Sequence, residues 1–377
     1  VVVSQYIGAD KKDKIKISVH TSICISIILG LILSLLGIFA SPSLLIMMKT
    51  PKVVLKSSIL YLQIYCGGLI FNVIYNMATG ILNAAGNSKK PLVYLAIASF
   101  TNIILDLLFI KIFKLGVMGA AIATDISQAI SCILAIGYLL KVKSDYKLYI
   151  KDLKINKETA VKIIKIGLPT AIQNMVISFS NVLVQSSVNA YGATAMAGYA
   201  AYLKIDGFNI LPVLSISMAV TTFTGQNVGA NRLDRVKKGM YSSLIMVLVY
   251  TVFIGAVLLI FSHQVLGLFT HSAQVIMYGQ LAMKYFCPYY FLLGILNVLA
   301  GTVRGAGKGI PPMIILLFSM CIFRILWIKI ALPFYSSIDG VFILYPISWL
   351  VGAILMILYT KFGKWLPHKQ MEKKENS

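Results

Sequence analysis

Hydrophobic residues in this chain occur in long runs separated by short polar segments, and they do not alternate with polar residues. Each run is about 20 residues or longer, the length that an α-helix needs to cross a bilayer. A shorter run at 1–9 predicts the end of one further helix. The runs predict ten complete spans, at 17–40, 58–83, 92–114, 117–140, 159–188, 195–224, 238–262, 274–303, 311–333 and 338–360.

The composition supports a membrane protein. Hydrophobic residues make up 58% of the 377 residues, charged residues only 12%, and the mean hydropathy is +0.85. Soluble domains carry about 25% charged residues. Inside lipid every backbone polar group must pair within the protein, and continuous apolar runs favour helices over a barrel. The fold class is therefore predicted to be an all-α polytopic membrane protein.

The net charge of +22 is concentrated in the polar segments between the runs. Segments 11–16, 141–165 and 232–238 are examples. If residues 11–16 are cytoplasmic, most of the 34 Lys and Arg residues fall on that side, as the positive-inside rule requires. This arrangement predicts a multi-pass protein of the cell (inner) membrane with cytoplasmic N- and C-termini, and it disfavours nucleic acid as a partner.

One sequence word occurs twice. "QYIGADKKDKIK" at 5–16 returns as "QNVGANRLDRVK" at 226–237, and the same offset of 221 residues relates Gly80 to Gly301. An internal repeat of this length predicts two parallel six-helix bundles. The first bundle would then lack helix 1 and most of helix 2, so about sixty residues are expected to precede this sequence in the parent protein.

The repeat and the charge pattern together predict four regions. An N-terminal lobe occupies 1–140 and is followed by a cytoplasmic linker at 141–158. A C-terminal lobe occupies 159–360, and a cytoplasmic tail occupies 361–377.

The loop words resemble those of one transporter family. "GILNAAGNSKKP" at 80–91 and "GTVRGAGKGIPP" at 301–312 follow equivalent helices, and "LGVMGAAIAT" at 115–124 and "KIGLPTAIQ" at 165–173 open others. In this order they are similar to the MATE (multidrug and toxin extrusion) family, whose helices 3–12 would match the ten spans. The resemblance implies an antiporter, coupled to H⁺ or Na⁺, that exports amphipathic and often cationic drugs or metabolites by alternating access.

A cation site is predicted in the first lobe. Asp106 lies in the middle of the span 92–114, one helical turn after Asn102, so both side chains share a face. A charge at mid-bilayer costs about 2.5–3.5 kcal/mol, which favours a functional role, although packing through hydrogen bonds is the alternative. The resemblance implies that Asn102, Asp106 and Thr124 bind the coupling ion. Asp125 departs from the family pattern and is a fourth candidate.

Polar side chains on three other helices predict a substrate cavity. They follow helical spacing, which places them on one face of each helix, and hydrogen bonds between helices are the alternative explanation. These candidates are Asn72, Asn76, Asn174, Ser178, Asn181, Gln185 and Asp206.

Other functions fit the sequence less well. A flippase for lipid-linked oligosaccharides belongs to the same superfamily and remains an alternative, as does an inactive fragment. An enzyme is not expected, because the four histidines are isolated and show no HxxxH or HExxH spacing. We expect no cofactor apart from the coupling ion and no metal site. The expected partners are small amphipathic molecules and the lipid bilayer, with the protein acting as a monomer.

Overall fold

The computed structural model describes residues 1–48 and 50–366, which fold mainly as helices. In the first half these helices follow one another with short connections. They are α1 (Val2–Gly8), α2 (Lys12–Met47), α3 (Lys52–Gly67), α4 (Leu69–Ala84), α5 (Lys89–Leu107), a π-helical turn (Leu108–Ile112), α6 (Gly116–Lys141) and a 3₁₀ turn (Ile150–Asp152).

The second half continues with longer helices and with several short turns near its end. They are α7 (Lys157–Asn189), α8 (Ala193–Gly229), α9 (Leu233–Ile260), α10 (Ser262–Gly267), α11 (Ala273–Phe286), a 3₁₀ turn (Cys287–Tyr289), α12 (Tyr290–Gly305), α13 (Ile310–Leu317), a π-helical turn (Phe318–Ile322), α14 (Phe323–Leu326), a second π-helical turn (Trp327–Ala331), a 3₁₀ turn (Leu332–Phe334), α15 (Asp339–Phe342) and α16 (Leu344–Phe362).

Ten of these helical stretches are long and apolar enough to cross a membrane, counted over the described residues. This confirms the ten predicted spans, and the ends agree closely in places: the span predicted at 311–333 runs from Ile310 to Phe334. Of the predicted tail, residues 367–377 lie outside the described part of the chain.

The internal repeat is visible in the helix ends. Helix α1 ends at Gly8 and α8 ends at Gly229, at the offset of 221 residues. The turn that follows has a left-handed residue in both copies, Asp10 with φ 50° and Asn231 with φ 56°. Asn and Asp tolerate this conformation better than most residues, so the repeated sequence motif forms the same turn in both copies.

The chain forms two compact units, Val2–Ile163 and the part from Ile164 onward. Buried side chains such as Val19, Ile81 and Leu82 form the core of the first unit. The second unit has a larger core of aromatic and aliphatic side chains, including Phe286 and Tyr290. The four predicted regions and their boundaries remain an interpretation of the sequence.

Residues 142–156, between α6 and α7, lie against the first unit. Tyr149 donates its backbone N–H to His20 Nε2 at 3.0 Å, and Leu148 is buried in the core of the first unit. Asp152 pairs with Lys16 at 2.6 Å, and this hydrogen bond holds the pKa of Asp152 below its usual range. The connecting segment is therefore packed against α2 over much of its length.

Candidate transport cavities

A cavity of about 400 Å³ lies within the first unit between α4, α5 and α6. It gathers two predicted cation ligands, Asn102 and Thr124, and two predicted substrate contacts, Asn72 and Asn76. The complete lining is Asn72, Tyr75, Asn76, Thr79, Pro91, Leu92, Leu95, Ala98, Ser99, Asn102, Thr124, Ser127, Gln128 and Ser131. Within the described residues this lining has no charged side chain, so its polarity comes from amides and hydroxyls.

Three polar atoms on this lining are buried without a hydrogen-bond partner among the described residues. They are Thr79 Oγ1, Asn102 Nδ2 and Gln128 Oε1. An unsatisfied buried polar group costs about 1–3 kcal/mol, so these atoms favour a cavity that accepts water or a polar ligand. Gln128 is absent from the predicted site, although its position one turn after Thr124 is a readable signal.

The other two first-lobe polar candidates are already paired with each other. Asn76 donates its side-chain N–H to Asn72 Oδ1 at 2.7 Å and to the Asn72 backbone oxygen at 2.9 Å. This pairing satisfies much of their hydrogen-bonding capacity within α4. They contribute to the polar wall, with fewer free groups than Asn102.

Asp106 is not on the cavity lining, and its role as a cation ligand stays a prediction. It lies in the last turn of α5, closer to the end of the span at Ile112 than to its start at Lys89. Asp106 Oδ1 is buried without a partner among the described residues, one helical turn beyond Asn102.

Asp125 lies at a break in a neighbouring helix. The helical span from Lys52 to Ala84 is interrupted at Gly68, between α3 and α4. The Asp125 carboxylate lies against this glycine, and a side chain at position 68 would overlap it. Asp125 is next to Thr124 in α6, but it is not among the residues that line the cavity.

A second pocket, of about 370 Å³, lies within the second unit. It brings together three predicted residues, Asn181, Gln185 and Asp206, whereas Asn174 and Ser178 are exposed elsewhere on α7. The complete lining is Asn181, Val182, Gln185, Tyr199, Tyr202, Leu203, Asp206, Phe286, Tyr345 and Trp349. The sequence did not predict its aromatic character, because the five aromatic residues come from three separate helices.

Asp206 faces a group of polar side chains in this pocket. The hydroxyls of Tyr202 and Tyr290 and the amide of Asn209 surround its carboxylate. The two hydroxyls also lie 2.9 Å from each other. Asp206 Oδ1 nevertheless has no hydrogen-bond partner among the described residues, so the carboxylate retains capacity for a ligand.

Arg324 is buried behind the same pocket, with 2% of its surface exposed. The sequence predicts a carboxylate or carbonyl partner for it. The guanidinium donates to the side-chain carbonyl oxygen of Asn181 at 3.0 Å and to Ser348 Oγ at 3.1 Å. It also lies 4.4 Å from the centre of the Tyr345 ring. These partners satisfy the buried charge without a carboxylate.

The helices, the repeat and the polar cavities define a membrane transporter. The model of the MatE family matches residues 1–108 and 169–328, and the chain belongs to this family. It is therefore a multi-pass membrane transporter and not an enzyme.

Relatives and solved structures agree with this assignment. The chain is 29% identical over 379 residues to the probable multidrug resistance protein YoeA of Bacillus subtilis, covering 96% of this chain and 80% of the relative. It is also 29% identical to the probable multidrug resistance protein YpnP of the same organism, covering 90% and 75%. A structure of a multidrug resistance MATE family transporter in an outward-facing conformation superposes with a TM-score of 0.89 at 23% identity, covering 96% and 81%, which shows the shared fold.

Proposed function

We propose that this chain is a multidrug exporter that works as an antiporter coupled to H⁺ or Na⁺. Export of drugs is supported by the relatives, two of which are probable multidrug resistance proteins. Ion coupling is supported by the first-unit cavity, which both Asn102 and Thr124 line and where buried polar atoms lack partners among the described residues. That convergence is the observation that carries the proposal.

The coupling ion binds close to Asp106, with Asn102 and Thr124 as neighbouring ligands and Asp125 nearby. A carboxylate, an amide oxygen and a hydroxyl supply the hard oxygen ligands that a small cation prefers. Binding of the ion drives alternating access only if the outward-open and inward-open states differ in their affinity for it. The transporter works as a monomer in the cell membrane, with its basic loops and both termini in the cytoplasm.

The substrates are amphipathic and often cationic. Neither cavity lining contains a basic residue within the described part of the chain. The second pocket combines the Asp206 carboxylate with five aromatic side chains, a combination that attracts organic cations. An anionic cargo, such as a lipid-linked oligosaccharide, would meet no basic side chain on either described lining, and Arg324 behind the second pocket already donates to Asn181 and Ser348.

The test replaces Asp106 with asparagine in the full-length protein. Purified protein in liposomes is given an imposed pH or Na⁺ gradient, and transport of a fluorescent organic cation is measured. The variant should lose gradient-driven transport, because the neutral amide no longer exchanges a proton or balances the charge of Na⁺. The matched control is Asp13→Asn, an exposed carboxylate in the first turn of α2. Wild-type transport by Asp106→Asn would overturn the ion-site assignment.

A further inference from the structure

A third pocket lies near the turn between α8 and α9, and none of its lining residues belongs to the two cavities described above. Its volume is about 460 Å³. Helix α9 contributes a basic, hydroxylated wall and α8 contributes an apolar wall. The lining consists of Ala219, Val220, Phe223, Arg235, Lys238, Gly239, Ser242 and Ser243.

This pocket lies along α9 where the polar end of the helix gives way to its apolar part. Arg235, Lys238 and Ser242 are three and four residues apart, so they share one face of the helix. Directly after Ser243, the apolar run 244–260 begins. The two cations therefore lie where the polar end of the helix meets its membrane-crossing part, and the apolar wall of α8 continues toward the lipid.

The two cations are available for a ligand. Arg235 and Lys238 are exposed, and neither forms an ion pair with any residue that the structure describes. Asp234, the nearby acid, lies 3.7 Å from Arg232. The Arg235 guanidinium lies 6.0 Å from the centre of the Phe223 ring, which directs it toward the pocket.

The repeat supplies an internal comparison. At the offset of 221 residues, Ile17 and Thr21 of the first unit correspond to Lys238 and Ser242. In the first unit the connecting segment covers this face: Asn156 donates its backbone N–H to Thr21 Oγ1 at 3.2 Å, and Thr21 is buried. In the second unit the corresponding Ser242 is exposed, and a lysine replaces the isoleucine. Among the residues that the structure describes, the same surface is thus open and more basic.

We propose that this pocket binds an anionic phospholipid. Arg235 and Lys238 hold the phosphate, the serine hydroxyls donate to its oxygens, and an acyl chain lies along Val220 and Phe223. Two cations and hydroxyl donors match a phosphate. The apolar wall at the membrane boundary favours a lipid over a free anion. A zwitterionic lipid binds more weakly, because its own ammonium group is repelled by the two cations.

The test measures lipid binding to the purified full-length protein by native mass spectrometry. Phosphatidylglycerol is titrated against phosphatidylcholine with the same acyl chains. The double variant R235Q/K238Q should weaken phosphatidylglycerol binding about fivefold for each charge, or about 25-fold in total. The matched control R232Q/K237Q removes the same charge from the same helix end outside the pocket, and it should change binding less than about twofold.

A second variant separates a lipid from a free anion. Ala219→Trp fills the apolar wall and keeps both charges, so this variant should bind phosphatidylglycerol more weakly. In a separate competition experiment, soluble glycerol phosphate should not displace phosphatidylglycerol from the unmodified protein. Melting temperature and elution volume confirm that each variant is folded. Three results would overturn the proposal: equal losses in both double variants, full displacement by glycerol phosphate, or binding that occurs only after deletion of residues 367–377, which would make the tail the occupant. None of these results depends on transport activity.

Discussion

Replacing Gly301 with alanine should destabilise the second unit, whereas the same change at Gly207 should not. Both glycines lie inside helices of this unit, Gly301 in α12 and Gly207 in α8. A Cβ atom at Gly301 would lie 2.7 Å from the Ser217 backbone oxygen and 2.9 Å from Thr221 Oγ1. A Cβ atom at Gly207 meets no other heavy atom within 4 Å among the residues described.

The expected magnitude follows from the contacts between α8 and α12. Alanine gains about 0.5–1 kcal/mol over glycine inside a helix. At Gly301 the overlap involves a backbone oxygen, which no rotamer change can relieve, and such overpacking costs about 1–3 kcal/mol. Separation of the helices would also weaken two hydrogen bonds, from Ser217 Oγ to the Asn297 oxygen at 2.7 Å and from Thr221 Oγ1 to the Gly301 oxygen at 2.9 Å. Each is worth about 0.6 kcal/mol in a membrane protein.

The net expectation is a loss of about 1–3 kcal/mol for Gly301→Ala, and no loss or a gain of up to about 1 kcal/mol for Gly207→Ala. The free energy of unfolding is measured by titration with sodium dodecyl sulfate in mixed micelles, with helix content followed by circular dichroism. Equal shifts for the two variants would refute the reasoning, because helix propensity is the same at both sites and only the close approach differs.

The remaining predictions concern hydrogen bonds of charged side chains. Ser348→Ala leaves the buried Arg324 Nε without its 3.1 Å partner and should cost about 1.5–3 kcal/mol in the same unfolding assay. The exposed Ser215→Ala is the control, and an equal cost for both would contradict the assignment. Because Lys16 lowers the pKa of Asp152, their pair is complete above the ordinary carboxyl pKa and is lost as the pH falls through the lowered value. The hydrogen-exchange protection factor of the connecting segment should fall over that pH range. If neither acid nor Asp152→Asn changes this protection factor, the Lys16–Asp152 pair does not hold the segment in place.

The helices themselves were largely predictable, because a span needs about 20 apolar residues and little else satisfies that requirement. The repeat added precision, since equivalent loop words end equivalent helices: α4 ends at Ala84 and α12 at Gly305, then α5 begins at Lys89 and α13 at Ile310. These features depend on local sequence and on the membrane. They do not require knowledge of which helices are in contact.

Breaks inside the spans were only partly predictable. The break between α11 and α12 contains Pro288, which cannot donate a backbone hydrogen bond and is a visible signal. The break at Gly68 lies within an apolar run without a proline. Its close contact with Asp125 is a tertiary feature, and helical periodicity contains no information about it.

The polar stripe on α7 shows the same limit at the candidate site. Helical spacing predicts that Asn174, Ser178, Asn181 and Gln185 share one face of this helix. Only Asn181 and Gln185 line the pocket, and the aromatic residues that complete it come from other helices. Spacing identifies a face of a helix, but it does not identify which segment of that face meets a cavity.

The two units carry different chemistry on equivalent backbone positions. At the offset of 221 residues, Thr124 of the first cavity corresponds to Tyr345 of the second pocket, and Asn102 corresponds to Phe323, which is not on the lining of that pocket. Amides and hydroxyls supply oxygen ligands for a small cation, whereas aromatic faces attract larger organic cations. The repeat therefore preserves helix ends and turns while the cavity-lining positions diverge. For this reason the equivalence of the halves predicts the helices and turns well but predicts the cavity-lining side chains poorly. The chemistry of each cavity follows from its own side chains.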